Sequence, residues 1–165
     1  MSKVNEIVKR LELQSHPEGG YYKELYRSAD MVLLPDRFNN EERASATAIY
    51  YLLESGDFSA WHRIKSDEMW LFHSGGTLSI YVIQPDGELV TYRLGDQIAN
   101  DDAWFQVAIK AGLWFAAEVN DPDSYVLASC YVAPGFEFKD FELAKKDTLL
   151  AEYPQHKQII ERLVR

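Results

Sequence analysis

From Ala44 to Ala133 the chain is a succession of short apolar segments cut by turns. They are SATAIYYLLE, FSAWHRI, EMWLFHS, TLSIYVI, LVTYRLG, WFQVAIK, LWFAAEV and SYVLASCYVA, rich in β-branched and aromatic residues. Turn signals separate them at Pro85 to Gly87, at Lys110-Ala111-Gly112 and over Asn120 to Ser124. None of these segments is interrupted by a helix-length amphipathic insert. Strands this short and regular predict antiparallel sheets closed into a barrel or stacked as a sandwich over about 44–133.

The two ends read differently. Ser2 can cap a helix over about 3–13, with Val4, Ile7, Val8 and Leu11 on one face. His16-Pro17-Glu18-Gly19-Gly20 is a turn, YYKELYR has strand character beside the barrel, and Asp36 to Arg43 reads as a charged loop. Helical periodicity returns over about 147–164, broken at Pro154. We expect a single domain over residues 1–165, since a chain of 165 residues can bury roughly 70% of its unfolded surface.

Composition narrows the classes of function. A net charge of −9 disfavours a nucleic-acid partner, which needs clustered Lys and Arg. No apolar run is long enough to span a membrane, and the N-terminal segment, with its acidic residues, does not read as a signal peptide. One cysteine, Cys130, excludes an internal disulfide and fits a cytoplasmic location. Its apolar surroundings predict a buried structural thiol.

The chemistry concentrates in GDFSAWHRIKSDEMWLFHSG, Gly56 to Gly75. Side chains alternate across a strand, so His62 and Ile64 share a face, and Glu68, Trp70 and Phe72 share one on the next strand. If both faces turn inward, an imidazole and a carboxylate meet in a pocket. Glu68 would then orient His62 and raise its basicity, making His62 a candidate general base. Tyr50, Trp61, Trp70, Trp114, Phe115 and Tyr131 flank the same strands. Of these, Tyr50, Trp70, Phe115 and Tyr131, with Ile64, are the expected ligand-contacting wall. His73 falls on the opposite strand face from Glu68. His16 and His156 lie in turn and tail segments and read as surface or capping residues.

The same frame resembles the first signature of the cupin superfamily, small β-barrels whose inner wall holds a metal or a ligand. Trp104 to Ala117 occupies the place of the second signature, with Gly112 at its central glycine. HPEGGYY, AIYYLL, WHRIKSDEMW, PDG, AGLWFAA and APGFEFKDFEL, spread in order over roughly 11–154, resemble the fifth cupin domain family, whose members have no assigned reaction. The resemblance implies an all-β double-stranded β-helix, or jelly-roll barrel, like that of the dTDP-sugar 3,5-epimerases, and a homodimer. It also implies a pocket that need not contain a metal. Metal-binding cupins carry His where this chain has Ile64 and Phe115, so only His62 and Glu68 remain of the usual ligand set. No cofactor is therefore expected. A divalent metal is the minority reading and would need a further ligand such as Gln106.

Three functions follow in order. The first is a metal-independent cupin that binds a small polar metabolite, sugar- or nucleotide-like. The second is an epimerase or isomerase in which His62 removes a proton α to a carbonyl and a tyrosine, Tyr50 or Tyr131, returns one. A diphosphate substrate would call on Arg27, Arg63 or Lys65. The third, a metal-dependent oxygenase or lyase, is disfavoured by Ile64 and Phe115. Exposed aromatic sheet faces predict a homodimer as the protein partner.

Overall fold

A computed structural model describes residues 2–34 and 36–165 of the protein. Helix α1 spans Lys3–Leu11, with the Ser2 hydroxyl accepting from the Asn5 N–H at 3.2 Å, the expected N-cap. The chain then enters β1 (Gln14–Ser15), β2 (Tyr21–Arg27), β3 (Met31–Leu34), β4 (Glu41–Ala44), β5 (Thr47–Glu54), β6 (Phe58–Ile64) and β7 (Asp67–Gly75). It continues through β8 (Leu78–Ile83), β9 (Leu89–Leu94), β10 (Gln106–Ile109), β11 (Phe115–Val119), β12 (Tyr125–Ala133) and β13 (Phe141–Leu143). Helices α2 (Lys146–Glu152) and α3 (Lys157–Arg162) follow, separated by a short 3-10 turn at Pro154–His156 where proline breaks the run.

One sheet is six-stranded in the order β1-β2-β5-β12-β7-β10, and the other five-stranded in the order β13-β6-β11-β8-β9. They face each other across a core that includes Tyr51, Leu53, Trp70, Leu78, Ile80, Leu94, Phe115 and Val126. This is the all-β barrel the alternating segments predict, with the α-helices among the described residues near the chain ends. The expected span of about 44–133 is too narrow: β1, β2 and β13 belong to the two sheets. In particular YYKELYR is no strand lying beside the barrel. It pairs with β5 from Tyr21 opposite Leu52 to Arg27 opposite Thr47.

Both outer sheet faces receive helical cover. α1 packs Val4, Ile7, Val8 and Leu11 over Leu52, Tyr21 and Leu127 of the six-stranded sheet. α2 and α3 bury Leu149, Ile160 and Leu163 against Trp61, Ile83 and Ala116 of the five-stranded sheet. Trp61 is therefore an outer-face anchor, and its indole N–H donates to the Ile159 carbonyl at 3.2 Å.

The stretch expected as a charged loop instead holds a 3-10 turn, Asp36–Phe38, and strand β4, which pairs with β3. Its Arg43 is buried. The guanidinium donates to Asp140 through Nε at 2.7 Å and a terminal nitrogen at 3.0 Å, and to the Glu42 carbonyl at 2.8 Å. This bidentate pair pins the β3–β4 hairpin to the segment that carries β13.

Candidate functional site

The inner wall at one end of the barrel does not close. A cavity of about 280 Å³ remains there, and its lining includes His16, Glu18, Tyr22, Tyr51, His62, Ile64, Glu68, Cys130, Phe138 and Phe141. His62 comes from β6 and Glu68 from β7, as the frame predicts, and both are buried.

The partner of His62 differs from the one expected. Glu18 Oε2 lies 3.1 Å from His62 Nε2, so the carboxylate that meets the imidazole is Glu18, not Glu68. Glu18 arrives from the turn between β1 and β2. That turn closes with the Gly19 N–H donating to the His16 carbonyl at 3.1 Å and the His16 N–H to the Gly20 carbonyl at 3.0 Å. Gly19 and Gly20 have φ of 118° and 69°, and a Cβ at Gly19 would collide with the Phe58 carbonyl. Glycine here lets the turn press against β6. The Ala60 N–H then donates to the Glu18 carbonyl at 2.8 Å, Arg165 Nε donates to the same carbonyl at 3.0 Å, and Tyr51 Oη donates to the Gly19 carbonyl at 2.7 Å. The carboxylate is thus aimed inward from an anchored backbone, and its Oε1 accepts from Ser59 Oγ at 2.9 Å.

The hydrogen-bond roles place the protons. His62 Nδ1 lies 2.7 Å from the Ala60 carbonyl, which can only accept, so Nδ1 carries a proton. His62 Nε2 and Glu18 Oε2 must then share a single proton or sit as an ion pair. Burial pushes His62 down to about 4, against the Ala60 hydrogen bond that raises it. Burial likewise raises Glu18, opposed by His16 and by the Ser59 hydrogen bond. Both shifts favour the neutral pair, with the carboxyl donating to a bare imidazole nitrogen.

Glu68 is pushed up to about 8, first by burial and then by the neighbouring Glu18 charge, so it holds a proton at neutral pH. Cys130 is raised well above its usual value by burial and then by Glu68, which leaves it the buried thiol expected.

His16 is no surface residue. Its side chain is 6% exposed, and Nδ1 accepts from the Glu18 N–H at 3.3 Å and lies 3.6 Å from Glu18 Oε2. Burial lowers its basicity, opposed by the Glu18 charge. The missed pair His16 and Glu18 was visible in HPEGGYY as a His and a Glu on either side of a proline, just before a double-glycine turn. Read as architecture alone, the motif hid two side chains that its turn delivers.

Of the five residues expected to form the wall, only Ile64 is among the side chains lining this cavity. Phe115 packs behind His62 with ring centroids 4.0 Å apart. Trp70 is buried in the adjoining core, 5.3 Å from Tyr51, and is not among the lining side chains. Tyr50 and Tyr131 are on the wrong face. Tyr50 packs near the α1 cluster and His73, and Tyr131 is 42% exposed, opposite Ala48 and Met69 on the outer side. The lining tyrosines are Tyr22 and Tyr51, with Phe136, Phe138 and Phe141 supplied by the APGFEFKDFEL segment.

His73 is exposed, with Nε2 2.6 Å from Ser129 Oγ, and His156 Nε2 donates to the Gly87 carbonyl at 2.7 Å, both away from the cavity. Arg27 reaches the cavity mouth but is held by Glu24 and Glu137. Arg63 and Lys65 line a separate cleft of about 350 Å³ with Arg37 and Lys139.

For a transition metal the donor set is poor. Ile64 and Phe115 fill two of the four usual positions with hydrocarbon, and both ring nitrogens of His62 are engaged. Gln106, the expected substitute, is exposed on β10. Among the described residues no group of three or more His, Cys, Asp or Glu is arranged to hold an ion. The residues present do not fit such a centre.

The family model described as Cupin superfamily (DUF985) matches residues 5–144. The chain belongs to that cupin family. A crystal structure of a Shewanella oneidensis protein shares 41% identity at a TM-score of 0.87, covering 100% of this chain and 99% of that one. A hypothetical protein from Leishmania major shares 31% at 0.89, with 99% of both chains covered. An uncharacterized Saccharomyces cerevisiae protein is 26% identical over 155 residues, 87% of this chain and 76% of its own. Among more remote cupins, Bacillus subtilis oxalate decarboxylase has a TM-score of 0.56 at 14% identity, over 90% of this chain and 36% of that one, a likeness of fold alone. No helix among the described residues is long and apolar enough to cross a membrane.

Proposed function

We propose that this cupin binds a small polar metabolite in the barrel cavity without a metal. The observation that carries the reading is the cluster of His16, Glu18, His62 and Glu68, titratable side chains turned into one cavity by three separate strand or turn segments. Burying such groups costs stability, and among the described residues none of the four forms an ion pair with a lysine or arginine side chain, Arg165 acting on Glu18 only through its more distant charge. The cavity is close to the small end of ligand pockets, about 300 Å³.

A second reading is proton transfer of the epimerase or isomerase kind, and a specific observation favours it. His62 held near 4 and Glu68 held near 8 put an unprotonated imidazole and a protonated carboxyl into one cavity from the two facing sheets at neutral pH. That is the pairing of base and acid such chemistry uses. Glu68 replaces the tyrosines as the acid, because Tyr51 commits its proton to Gly19 and Tyr50 and Tyr131 point outward. A nucleoside diphosphate is the weaker substrate, since Arg27 is neutralised at the mouth and Arg63 and Lys65 belong to the neighbouring cleft.

We also propose a homodimer across the uncovered half of the six-stranded sheet. There Tyr26, Ala48, Tyr131 and Met69 form one cross-strand row, continuing beyond the area that α1 covers. Light scattering giving the mass of one chain at micromolar concentration would rule this out.

The binding reading is tested by native mass spectrometry on gently purified protein, with the released small molecules identified after denaturation. A bound species should be present in the wild type and depleted in His62→Ala. A species retained equally by both, or protein free of any even after incubation with a cell-metabolite extract, would defeat it.

A further inference from the structure

The cavity is unusual in the sign of what lines it. Four carboxyl groups border it: Glu18 and Glu68 within, Glu24 and Glu137 at the mouth. One permanently charged cation, Arg27, stands against them. Its Nε and one terminal nitrogen donate to Glu24 at 2.9 and 2.8 Å, its other terminal nitrogen donates to Glu137 at 2.8 Å, and the Phe136 carbonyl accepts at 3.0 Å. A guanidinium has five N–H donors, so a single one is left for a ligand. Both histidines on the wall are driven toward the neutral form by burial. Nothing inside the cavity is built to neutralise an anion.

Between mouth and floor lies a continuous set of rings. His16 meets Tyr22 at 4.7 Å between centroids, Phe138 at 5.9 Å and Phe141 at 5.9 Å, and Phe138 in turn meets Phe136 at 5.0 Å. Ring faces carry negative electrostatic potential and attract organic cations, most strongly where water is excluded. Carboxyl groups beyond these rings, kept neutral by burial and able to release a proton to solvent when a cation settles beside them, complete a recognition pattern for an ammonium group carried on an apolar body. The chain's net charge of −9 adds a long-range field that draws cations in and repels anions.

Resting on the proposed binding role of this cavity, we infer that its ligand carries a positively charged amine, held among Tyr22, His16, Phe138 and Phe141 with the carboxyl groups of Glu18 and Glu68 beneath it. The inference assigns a ligand class and sets it against the anionic nucleotide sugars that the barrel type brings to mind. Unlike the neighbouring cleft, where Arg37, Arg63, Lys65 and Lys139 gather, this cavity selects for positive charge.

Three probes of nearly equal size separate charge from shape: benzylamine, benzyl alcohol and benzoate, titrated into the full-length protein by calorimetry at pH 7 and low salt. Benzylamine should bind on the order of tenfold more tightly than benzoate, with benzyl alcohol between them. Phe138→Ala should weaken benzylamine several-fold and change benzyl alcohol less, because a lost ring face costs the cation most. Glu68→Gln should narrow the gap between amine and alcohol. Benzoate binding as tightly as benzylamine overturns the assignment, as does the absence of saturable benzylamine binding at millimolar concentration. If benzyl alcohol or benzoate saturates while the amine does not, the cavity remains a ligand pocket and only the charge of its ligand is refuted.

Discussion

Two buried pairs of opposite chemical character sit in this barrel, and they are built on different terms. Arg43 and Asp140 are joined by two short hydrogen bonds, and further donors of the same guanidinium reach Glu41 and the Glu42 carbonyl. Burial acts to raise Asp140, yet the Arg43 guanidinium and Lys65 outweigh it and hold it below its ordinary value, while Asp140 raises Arg43. Both partners stay charged. At His62 and Glu18 the balance reverses: burial dominates, the imidazole is driven down and the carboxyl up, and the pair is most stable sharing one proton. The first pair fastens a hairpin to the barrel. The second lines a cavity and holds one proton between its two members. Geometry alone would class them together, since each is a buried contact of about 3 Å.

The largest expected effect tests the fastening. Arg43→Ala leaves Asp140 buried without its partner, and breaking such pairs costs about 3–5 kcal/mol. Chemical denaturation should show a loss of that order, with the β3–β4 hairpin becoming protease-sensitive. A variant that unfolds within 1 kcal/mol of wild type would mean that the ion pair contributes little and that the contrast with the cavity pair is false.

For the cavity pair the signs differ. His62→Ala and Glu18→Gln should each weaken ligand binding by roughly ten- to a hundredfold, the worth of a charge-assisted hydrogen bond of about 1.5–3 kcal/mol. Neither should lower stability as Arg43→Ala does, because each removes a group whose burial is unfavourable. Should His62→Ala melt far below wild type and still bind normally, the pair is architectural and the two sites belong to one class.

These assignments show what a single sequence exposes. The strands were readable because alternation and turn residues are local, and the His62–Glu68 frame put both residues on the cavity wall. The identity of the partner was not, because Glu18 reaches His62 through a turn 44 residues upstream whose approach to β6 is a tertiary fact. Arg43 failed for a related reason. A charge in EERA reads as loop surface until Asp140, 97 residues on, supplies a buried counter-ion. Tyr50 and Tyr131 failed by one residue of strand register, which exchanges inner and outer faces completely.

A smaller effect concerns Glu68 and pH. Burial pushes its carboxyl from the ordinary 4.5 up to about 8 in the folded protein, so the folded state binds its proton more tightly and stability is lost as pH rises through that range. His62 works in the opposite direction. It is pushed from 6.5 to about 4, so stability is lost as pH falls from 6.5 toward 4. Between about 4.5 and 6.5 the two slopes oppose each other. From 6.5 to about 8 the histidines no longer contribute; at 1.36 kcal/mol per pH unit Glu68 loses about 2 kcal/mol, and Glu18, also raised by burial, acts in the same direction. Denaturant midpoints measured across that interval should fall in the wild type and fall distinctly less in Glu68→Gln. A wild type that stays level would place an ionised carboxylate in the cavity at neutral pH and remove Glu68 as an acid.

The smallest effect separates neighbouring tyrosines on one strand. Tyr51 faces the cavity and donates its hydroxyl proton to the Gly19 carbonyl at 2.7 Å, bracing the turn that delivers Glu18. Tyr50, one residue earlier, turns to the outer face and meets His73 edge-on at 5.9 Å. Tyr51→Phe leaves a buried carbonyl without that donor, at a cost of about 1 kcal/mol, and loosens the turn, so ligand affinity should fall by a few-fold. Tyr50→Phe changes an outer-face hydroxyl and should leave affinity unchanged, with stability within about 0.5 kcal/mol of wild type. The paired measurement is sensitive to register. If Tyr50→Phe weakens the ligand and Tyr51→Phe does not, β5 presents the other face to the cavity, and the His62–Glu18 pair would have to be rebuilt on a different wall.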